Sequence, residues 1–132
     1  MVTAEIEAAL VLGTGGASKA VVYALHKMGI ETQYVSRKKG PNNLTYDDIT
    51  DLILKGHKLI VNCTPLGTHP NILEKPNLNY DQLTSKHILY DLIYNPTETA
   101  FMKAGKKAGA LVANGENMLV EQAETSWRLW NM

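Results

Sequence analysis

Three glycines and a small serine follow the first apolar run of the chain, in the order Gly13-Thr14-Gly15-Gly16-Ala17-Ser18. Such a turn can hold a phosphate group, because glycine has no side chain to keep a ligand away from the backbone amides. Gly13 would reverse the chain, Gly15 would admit a pyrophosphate, and Ser18 would let the next helix pack closely. The spacing matches a dinucleotide-binding turn except at its last position, where Gly or Ala is usual.

A second candidate contact is the run Ser36-Arg37-Lys38, about twenty residues beyond the first glycine. Proteins that bind NAD usually have an acidic residue here, which accepts a hydrogen bond from the ribose 2′-hydroxyl. Ser36 and two cations would instead suit a 2′-phosphate, whose oxygens match the guanidinium fork of Arg37. Ser36 would donate a hydroxyl and Lys38 would add charge. The run predicts NADP(H) as cofactor, and the alternative is a basic loop that is only solvated.

The elements that would position these runs alternate between strands and helices. Ala8–Leu12 is continuously apolar, which is typical of a strand buried on both faces of a parallel sheet. Thr32–Val35 predicts a second strand, and Arg37–Asn43 predicts a surface loop. A helix between the strands, ended by Gly29, is indicated by apolar residues at helical spacing, namely Ala17, Ala20, Val21, Ala24, Leu25 and Met28. A glycine turn between a strand and a helix of a βαβ unit binds a dinucleotide more often than it serves only to reverse the chain.

The same alternation continues to the end of the chain and predicts an α/β fold. The further elements are a helix at Asp47–Leu54, a strand at Lys58–Asn62, a turn-rich stretch at Thr64–Asn79, a strand at Ile88–Asp91, a helix at Glu98–Ala108, a strand at Ala110–Ala113 and a helix at Glu116–Trp130. We expect a Rossmann-like, doubly wound parallel sheet with helices on both faces.

Composition narrows the class of partner. The 132 residues contain 13 Lys and Arg against 13 Asp and Glu, so no net positive field favours nucleic acid or a membrane surface. No apolar run is long enough for a signal peptide or a membrane span, which predicts a cytoplasmic protein. Scattered histidines and one cysteine predict no metal site. We interpret Cys63 as a small buried residue, and Asp91 as a group that orients the following loop.

Five runs, in order, resemble motifs of the cofactor-binding half of shikimate dehydrogenases. They are Gly13–Ser18, Ser36–Lys38, Asn62-Cys63-Thr64-Pro65-Leu66-Gly67, the segment from Tyr90 to Thr99 and the segment from Asn114 to Ala123. The third resembles the family's N-A/C-T-P/S-x-G strand end, and the last resembles its D/N-G-x-x-M-L-x-x-Q-A helix start. The match covers nearly the whole chain.

The resemblance implies a role for several single residues. Thr64 and Pro65 would flank the cofactor, and Asn62 would contact its ribose or phosphates. The residues implied beside the nicotinamide are Ile93, Gly115 and Met118. Tyr94 and Gln122 would reach the hydroxyl and carboxylate groups of shikimate. Alternatives stay open for three of these residues: a strand-end cap for Asn62, a half-exposed core aromatic for Tyr94 and a helix core residue for Met118.

The resemblance also implies a reaction, the reduction of 3-dehydroshikimate to shikimate by NADPH. The lysine and aspartate that move the proton in that family lie in a substrate domain that precedes the cofactor domain. This chain begins directly before the first strand. We therefore expect residues 1–132 to form a single NADP-binding domain that lacks the substrate domain, with the final helix 116–130 on the substrate-domain side. Such a chain would bind the cofactor without useful turnover.

Two further expectations concern partners and alternatives. An apolar area around Leu66, Ile93, Tyr94, Met118 and Leu119 would be left uncovered and could drive self-association. A different class of function is a stand-alone NADP-sensing module, which has no need of Tyr94 and Gln122 as substrate contacts. A quinate dehydrogenase would share the cofactor half, and the later motifs disfavour a glutamyl-tRNA reductase.

Overall fold

A computed structural model describes residues 6–93 and 96–114, which form a six-stranded parallel sheet with helices on both faces. The strands are β1 (Ala8–Leu12), β2 (Glu31–Ser36), β3 (Asn43–Thr45), β4 (Leu59–Asn62), β5 (Ile88–Asp91) and β6 (Leu111–Asn114). Their order is β3-β2-β1-β4-β5-β6, and every neighbouring pair is parallel. The predicted Rossmann-like fold is confirmed.

Three α-helices connect these strands, and polar residues or glycine mark their ends. They are α1 (Gly16–Lys27), α2 (Asp51–Gly56) and α3 (Ala100–Lys107). The Thr50 hydroxyl accepts a hydrogen bond from the Ile53 amide at the start of α2, and Thr99 does the same for Met102 at the start of α3. Gly29, at φ 79°, ends α1 as predicted, since only glycine adopts this conformation without strain.

The core consists of two layers separated by β1, whose residues 9–12 are completely buried. Ala9 and Val11 face the layer that contains Val21 and Leu25 of α1. Leu10 and Leu12 face the opposite layer, which contains Leu54 of α2 and Phe101 of α3. Burial on both faces explains why β1 has no polar residue, because each side chain displaces water from apolar surface.

Several predicted boundaries were wrong. Residues 43–45 form the edge strand β3, although Arg37–Asn43 was expected to be a loop that led directly into a helix. The predicted helix at Asp47–Leu54 is divided into a 3₁₀ turn at Tyr46–Asp48 and α2, because Ile49 has extended backbone geometry between them. Helix α3 begins at Ala100 instead of Glu98, since Thr99 caps it. The predicted helix at Glu116–Trp130 lies outside the described residues.

The predicted apolar stripes were also partly wrong. Ala17 and Ala20 are exposed on α1, where Ser18, Val21, Ala24 and Leu25 are buried. The small alanine methyl gains little from burial and so does not determine which face of a helix turns inward. On α3 the buried residues are Phe101, Met102 and Gly105, whereas Ala100, Ala104 and Ala108 are only half-buried.

Gly105 provides a test of how tightly α3 packs on the sheet. A Cβ at this position would lie 2.5 Å from Leu89 Cδ2 and 3.3 Å from Val112 Cγ1, and Leu89 is fully buried. We expect Gly105→Ala to lower the free energy of unfolding by about 1 to 2 kcal/mol, because overpacking outweighs the gain in helix propensity. The control is Gly56→Ala, where a Cβ would meet nothing within 4 Å. Urea titrations of both variants measure the difference, and equal stabilities would contradict the prediction.

His87 predicts a pH dependence of stability. The ring is buried, with Nε2 2.7 Å from the Leu54 carbonyl oxygen, while Nδ1 accepts a hydrogen bond from the Thr84 amide at 3.0 Å. Burial lowers the pKa of His87 below its ordinary value of 6.5. When the pH falls below 6.5, the unfolded chain therefore takes up the proton before the folded one does, and the folded state loses stability.

The measurement for His87 is the free energy of unfolding between pH 7.5 and pH 5. We expect the wild-type chain to lose up to about 1.4 kcal/mol per pH unit relative to His87→Gln, because the variant has no imidazole to protonate. His69→Gln, which removes an exposed imidazole, is the control. Parallel pH profiles for wild type and His87→Gln would refute the prediction.

Candidate nucleotide-binding site

The carboxyl ends of β1, β2 and β4 meet at a pocket of about 350 Å³. The sheet order reverses between β1 and β4, and open α/β sheets bind their ligands at such a switch point. The lining residues are Gly13, Thr14, Gly15, Val35, Ser36, Arg37, Tyr46, Cys63, Thr64, Pro65 and Leu66. The pocket thus brings together the glycine turn, the end of β2 and the start of the loop after β4.

The glycines of the turn have two different roles, one structural and one that leaves space for a ligand. Gly13 has φ 109°, its amide donates to the Val35 carbonyl at 2.7 Å, and a Cβ there would lie 3.3 Å from the Cys63 carbonyl oxygen. A larger residue would therefore be strained and would press on the backbone after β4. A Cβ at Gly15 or Gly16 would meet no protein atom within 4 Å. These two positions leave the space that a close ligand would need.

Helix α1 begins at this turn and points its amino end at the pocket. Its first amides have no carbonyl one turn earlier, so they and the helix dipole favour a negatively charged ligand. The first turn of α1 contains no acidic side chain. Ser18 is buried, and its hydroxyl donates to the Gly15 carbonyl at 2.6 Å. The serine at the unusual last position of the motif therefore stabilises the turn and still fits against the sheet.

The basic run after β2 contributes to the pocket only in part. Ser36 is half-buried and Arg37 is exposed, and both line the pocket. Lys38 is exposed and lies outside the lining. The Asn43 side-chain amide donates to the Lys38 carbonyl at 2.9 Å, which fixes the connection to β3. Lys39 is 3.6 Å from the Asp48 carboxylate.

Asn62 does not line the pocket, but it contacts two residues that do, Thr64 and Leu66. Its side chain is completely buried, and its Oδ1 accepts hydrogen bonds from the Thr64 amide at 3.0 Å and the Thr64 hydroxyl at 2.6 Å. Its Nδ2 donates to Asp91 Oδ1 at 3.1 Å, with the Leu66 carbonyl at 3.4 Å. The polar atoms of Asn62 are thus used by the protein itself. This geometry agrees with the alternative of a strand-end cap and not with a direct contact to a ribose or phosphate.

Asp91 connects the loops after β4 and β5. Besides Asn62, its Oδ1 accepts from the Ile93 amide at 3.0 Å, and its Oδ2 accepts from the Thr99 hydroxyl at 2.6 Å. Burial raises the pKa of Asp91, while these hydrogen bonds act in the opposite direction. The expectation that Asp91 orients the following loop is confirmed, since the carboxylate holds both Ile93 and the residue that caps α3.

Cys63 forms part of the pocket wall. Burial, and then the nearby charge of Asp91, raise the pKa of Cys63 to about 12. The thiolate that a nucleophile or metal ligand requires is therefore disfavoured at ordinary pH. The interpretation of Cys63 as a small buried residue was only partly right, because Cys63 is half-buried and lines the pocket. Among residues 6–93 and 96–114, no three His, Cys, Asp or Glu side chains are grouped as metal ligands.

Tyr46 also lines the pocket, and sequence reasoning missed it. The strand register pairs Ser36 with Thr45, so Tyr46 follows β3 at the level where Arg37 follows β2. Burial raises the pKa of Tyr46 to about 12, and the charge of Arg37 has an opposing effect. The sequence signal was Thr45 with Asp48, a capping box that marks the start of a helical turn at Tyr46.

The remaining predicted residues are distributed as follows. Thr64 and Pro65 line the pocket as expected, together with Leu66. Ile93 is half-buried and outside this lining. Tyr94, Gly115, Met118, Leu119 and Gln122 lie outside the described residues.

None of the helices in the described segments has the length and apolar character that crossing a bilayer requires.

No model of a known protein family matches the chain. Individual proteins do match it. The NADP(+) shikimate dehydrogenase of Clostridium beijerinckii is 40% identical, over 92% of this chain and 47% of that protein. Shikimate dehydrogenase 1 of Peptoclostridium difficile has a solved structure with TM-score 0.68 and 36% identity, covering 97% of this chain and 49% of that one. A shikimate dehydrogenase crystallised with NADP+ has TM-score 0.67 and 28% identity, covering 95% and 49%.

These matches agree in what they cover. The chain spans about half the length of the curated relatives that it matches. The predicted resemblance is confirmed, and the chain is a homologue of the shikimate dehydrogenases over a segment that corresponds to about half of their length.

Proposed function

We propose that this chain is the NADP(H)-binding part of a shikimate dehydrogenase, which reduces 3-dehydroshikimate to shikimate with NADPH. One observation supports this most directly: a single pocket joins the open glycine turn at the start of α1 to Ser36 and Arg37 at the end of β2. NADP is also the cofactor in the names of the curated relatives.

The pyrophosphate would bind at the glycine turn. The space at Gly15 and Gly16 admits phosphate oxygens to the first amides of α1, where the helix dipole favours their negative charge. The absence of an acidic residue in the first turn of α1 removes a source of repulsion. Thr14 and Thr64, both in the lining, supply hydroxyls beside the same space.

The adenosine end would bind at β2, where the sign of the charges favours a 2′-phosphate. Arg37 lines the pocket there, and the lining contains no carboxylate among the described residues. Two acidic residues, Asp47 and Asp48, follow Tyr46, and neither lines the pocket. The Asp48 carboxylate accepts from the Thr45 amide at 2.8 Å and lies 3.6 Å from Lys39 Nζ. A ribose with a free 2′-hydroxyl would find no acceptor of the kind that NAD-binding proteins provide.

The chemistry itself needs more than this pocket. NADPH supplies a hydride to the ketone carbon, and a proton must reach the resulting oxygen from a neighbouring acid. The ionisable side chains of the lining are Arg37, Tyr46 and Cys63. Guanidinium stays charged, and the pKa values of Tyr46 and Cys63 are both raised to about 12, so none is suited to transfer a proton near pH 7.

The proposal therefore assigns binding to the described pocket and proton transfer to groups elsewhere in a complete enzyme. In the resemblance Ile93, Gly115 and Met118 border the nicotinamide, and Tyr94 and Gln122 contact the substrate. The chain by itself would then bind NADP(H) and turn over poorly. A sensor of NADP would bind the cofactor equally well, but shikimate would not affect its affinity for the cofactor.

The test is the cofactor preference of Arg37→Ala. We expect the dissociation constant of NADP+ to rise about ten- to a hundredfold, since a charge-assisted contact contributes about 1.5 to 3 kcal/mol. The affinity for NAD+ should change less than threefold, because NAD+ lacks the phosphate. Isothermal titration calorimetry with both cofactors measures the ratio.

Lys38→Ala is the matched control, since it removes an equal charge at the next residue, which does not line the pocket. Its effect on NADP+ should be small and should shrink further in 0.3 M salt. If Arg37→Ala leaves the NADP+ to NAD+ ratio unchanged, the proposed cofactor site is wrong.

A further inference from the structure

The phenol of Tyr46 lines the pocket, and its hydroxyl has no structural task among the described residues. The ring packs against the core layer of Leu54 and Phe101, so it is held by apolar contacts. Within the described part of the chain, the Tyr46 hydroxyl makes no hydrogen bond, although its backbone carbonyl accepts from the Ile49 amide at 3.2 Å. A buried phenol usually finds a partner for its hydroxyl. A half-buried phenol at the wall of a pocket can find that partner in a ligand.

The neighbours of Tyr46 indicate what that ligand must be. The register of β2 and β3 places Tyr46 beside Arg37, and the guanidinium is close enough to influence the pKa of the phenol. The other nearby phenol, Tyr80, already donates its hydroxyl to the Pro76 carbonyl at 2.6 Å. Tyr46 therefore shares its end of the pocket with a cation and with the Ser36 hydroxyl. Three donors without an acidic neighbour in the lining suit an anion.

A phosphate monoester fits this set of donors. It offers three acceptor oxygens, and the Arg37 fork can occupy two of them while a hydroxyl donates to the third. The raised pKa of Tyr46 keeps its phenol protonated across the physiological range, so it acts as a donor. A ligand that carries this phosphate can also reach the glycine turn, because both groups of residues line one pocket.

We propose that the Tyr46 hydroxyl donates a hydrogen bond to the 2′-phosphate of NADP(H), and that Tyr46 is a specificity-determining residue for the phosphorylated cofactor. This inference rests on the proposed NADP(H) site and adds to it a contact from the residue that follows β3. It gives a role in the site to an edge strand that is only three residues long.

The experiment compares Tyr46→Phe with the wild-type chain by calorimetry, using NADP+, NAD+, adenosine 2′,5′-bisphosphate and 5′-AMP. The variant keeps the ring and its packing and removes only the hydroxyl. We expect the dissociation constants of NADP+ and the bisphosphate to rise about fivefold to twentyfold, since one hydrogen bond to a charged acceptor is lost. NAD+ and 5′-AMP should bind as before, within a factor of two.

Tyr34→Phe is the matched control. Tyr34 is also half-buried, but it packs against the opposite core layer and does not line the pocket. It should leave all four affinities unchanged. Thermal unfolding of both variants verifies that the ring substitutions preserve the fold.

The outcomes separate this proposal from the one on which it rests. If the wild-type chain binds neither NADP+ nor the bisphosphate, both proposals fail. If the wild type binds and Arg37→Ala loses its preference for NADP+ while Tyr46→Phe keeps it, only the role of Tyr46 is overturned. An equal loss for phosphorylated and unphosphorylated ligands would place Tyr46 against the adenine or its ribose and would also overturn the proposal.

Discussion

The candidate site depends on the parallel pairing of β1 with β2 on one side and with β4 on the other. Leu12 is in register with Val35 of β2 and with Asn62 of β4. The residues that follow these three positions therefore emerge side by side at one edge: Gly13, Ser36 and Cys63. The Gly13 amide donates to the Val35 carbonyl of β2, while a Cβ at this residue would lie only 3.3 Å from the Cys63 carbonyl oxygen after β4. Shifting β2 by one residue against β1 would turn its side chains to the other face and move Arg37 relative to the glycine turn.

Buried polar residues at the ends of β4 and β5 stabilise the loops at this edge of the sheet. Asn62 and Asp91 are completely buried at the ends of β4 and β5, and they bond to each other. Burying a carboxylate is costly unless its oxygens are satisfied, and Asp91 meets this condition through Asn62, Ile93 and Thr99. The result is a connection from the loop that borders the pocket to the cap of α3. Asn62 and Asp91 are residue types that often bind ligands. Here they instead hold the loops that border the pocket.

Local signals in the sequence predicted the centre of the fold well. The continuous apolar run of β1, the glycine turn and the stop at Gly29 each depend on the residue's own conformational or burial preference, so they can be recognised without knowing what packs nearby. Strand β3 could not be recognised in this way. It has three half-buried residues, and it exists because it pairs with β2 at the sheet edge. The sequence left the role of Asn62 open between a cofactor contact and a strand-end cap, because its partner Asp91 lies 29 residues further along the chain.

The missed elements and the missed site residue have the same physical origin. Tyr46 reaches the pocket because β3 pairs with β2 and because the capping box of Thr45 and Asp48 begins a helical turn directly after β3. A sequence motif for the dinucleotide turn ends with β2 and so does not include this third strand. The part of the pocket that would hold phosphates is therefore encoded locally, in the glycines. The part that would distinguish one dinucleotide from another is assembled from two strands, and it becomes visible only when their register is known.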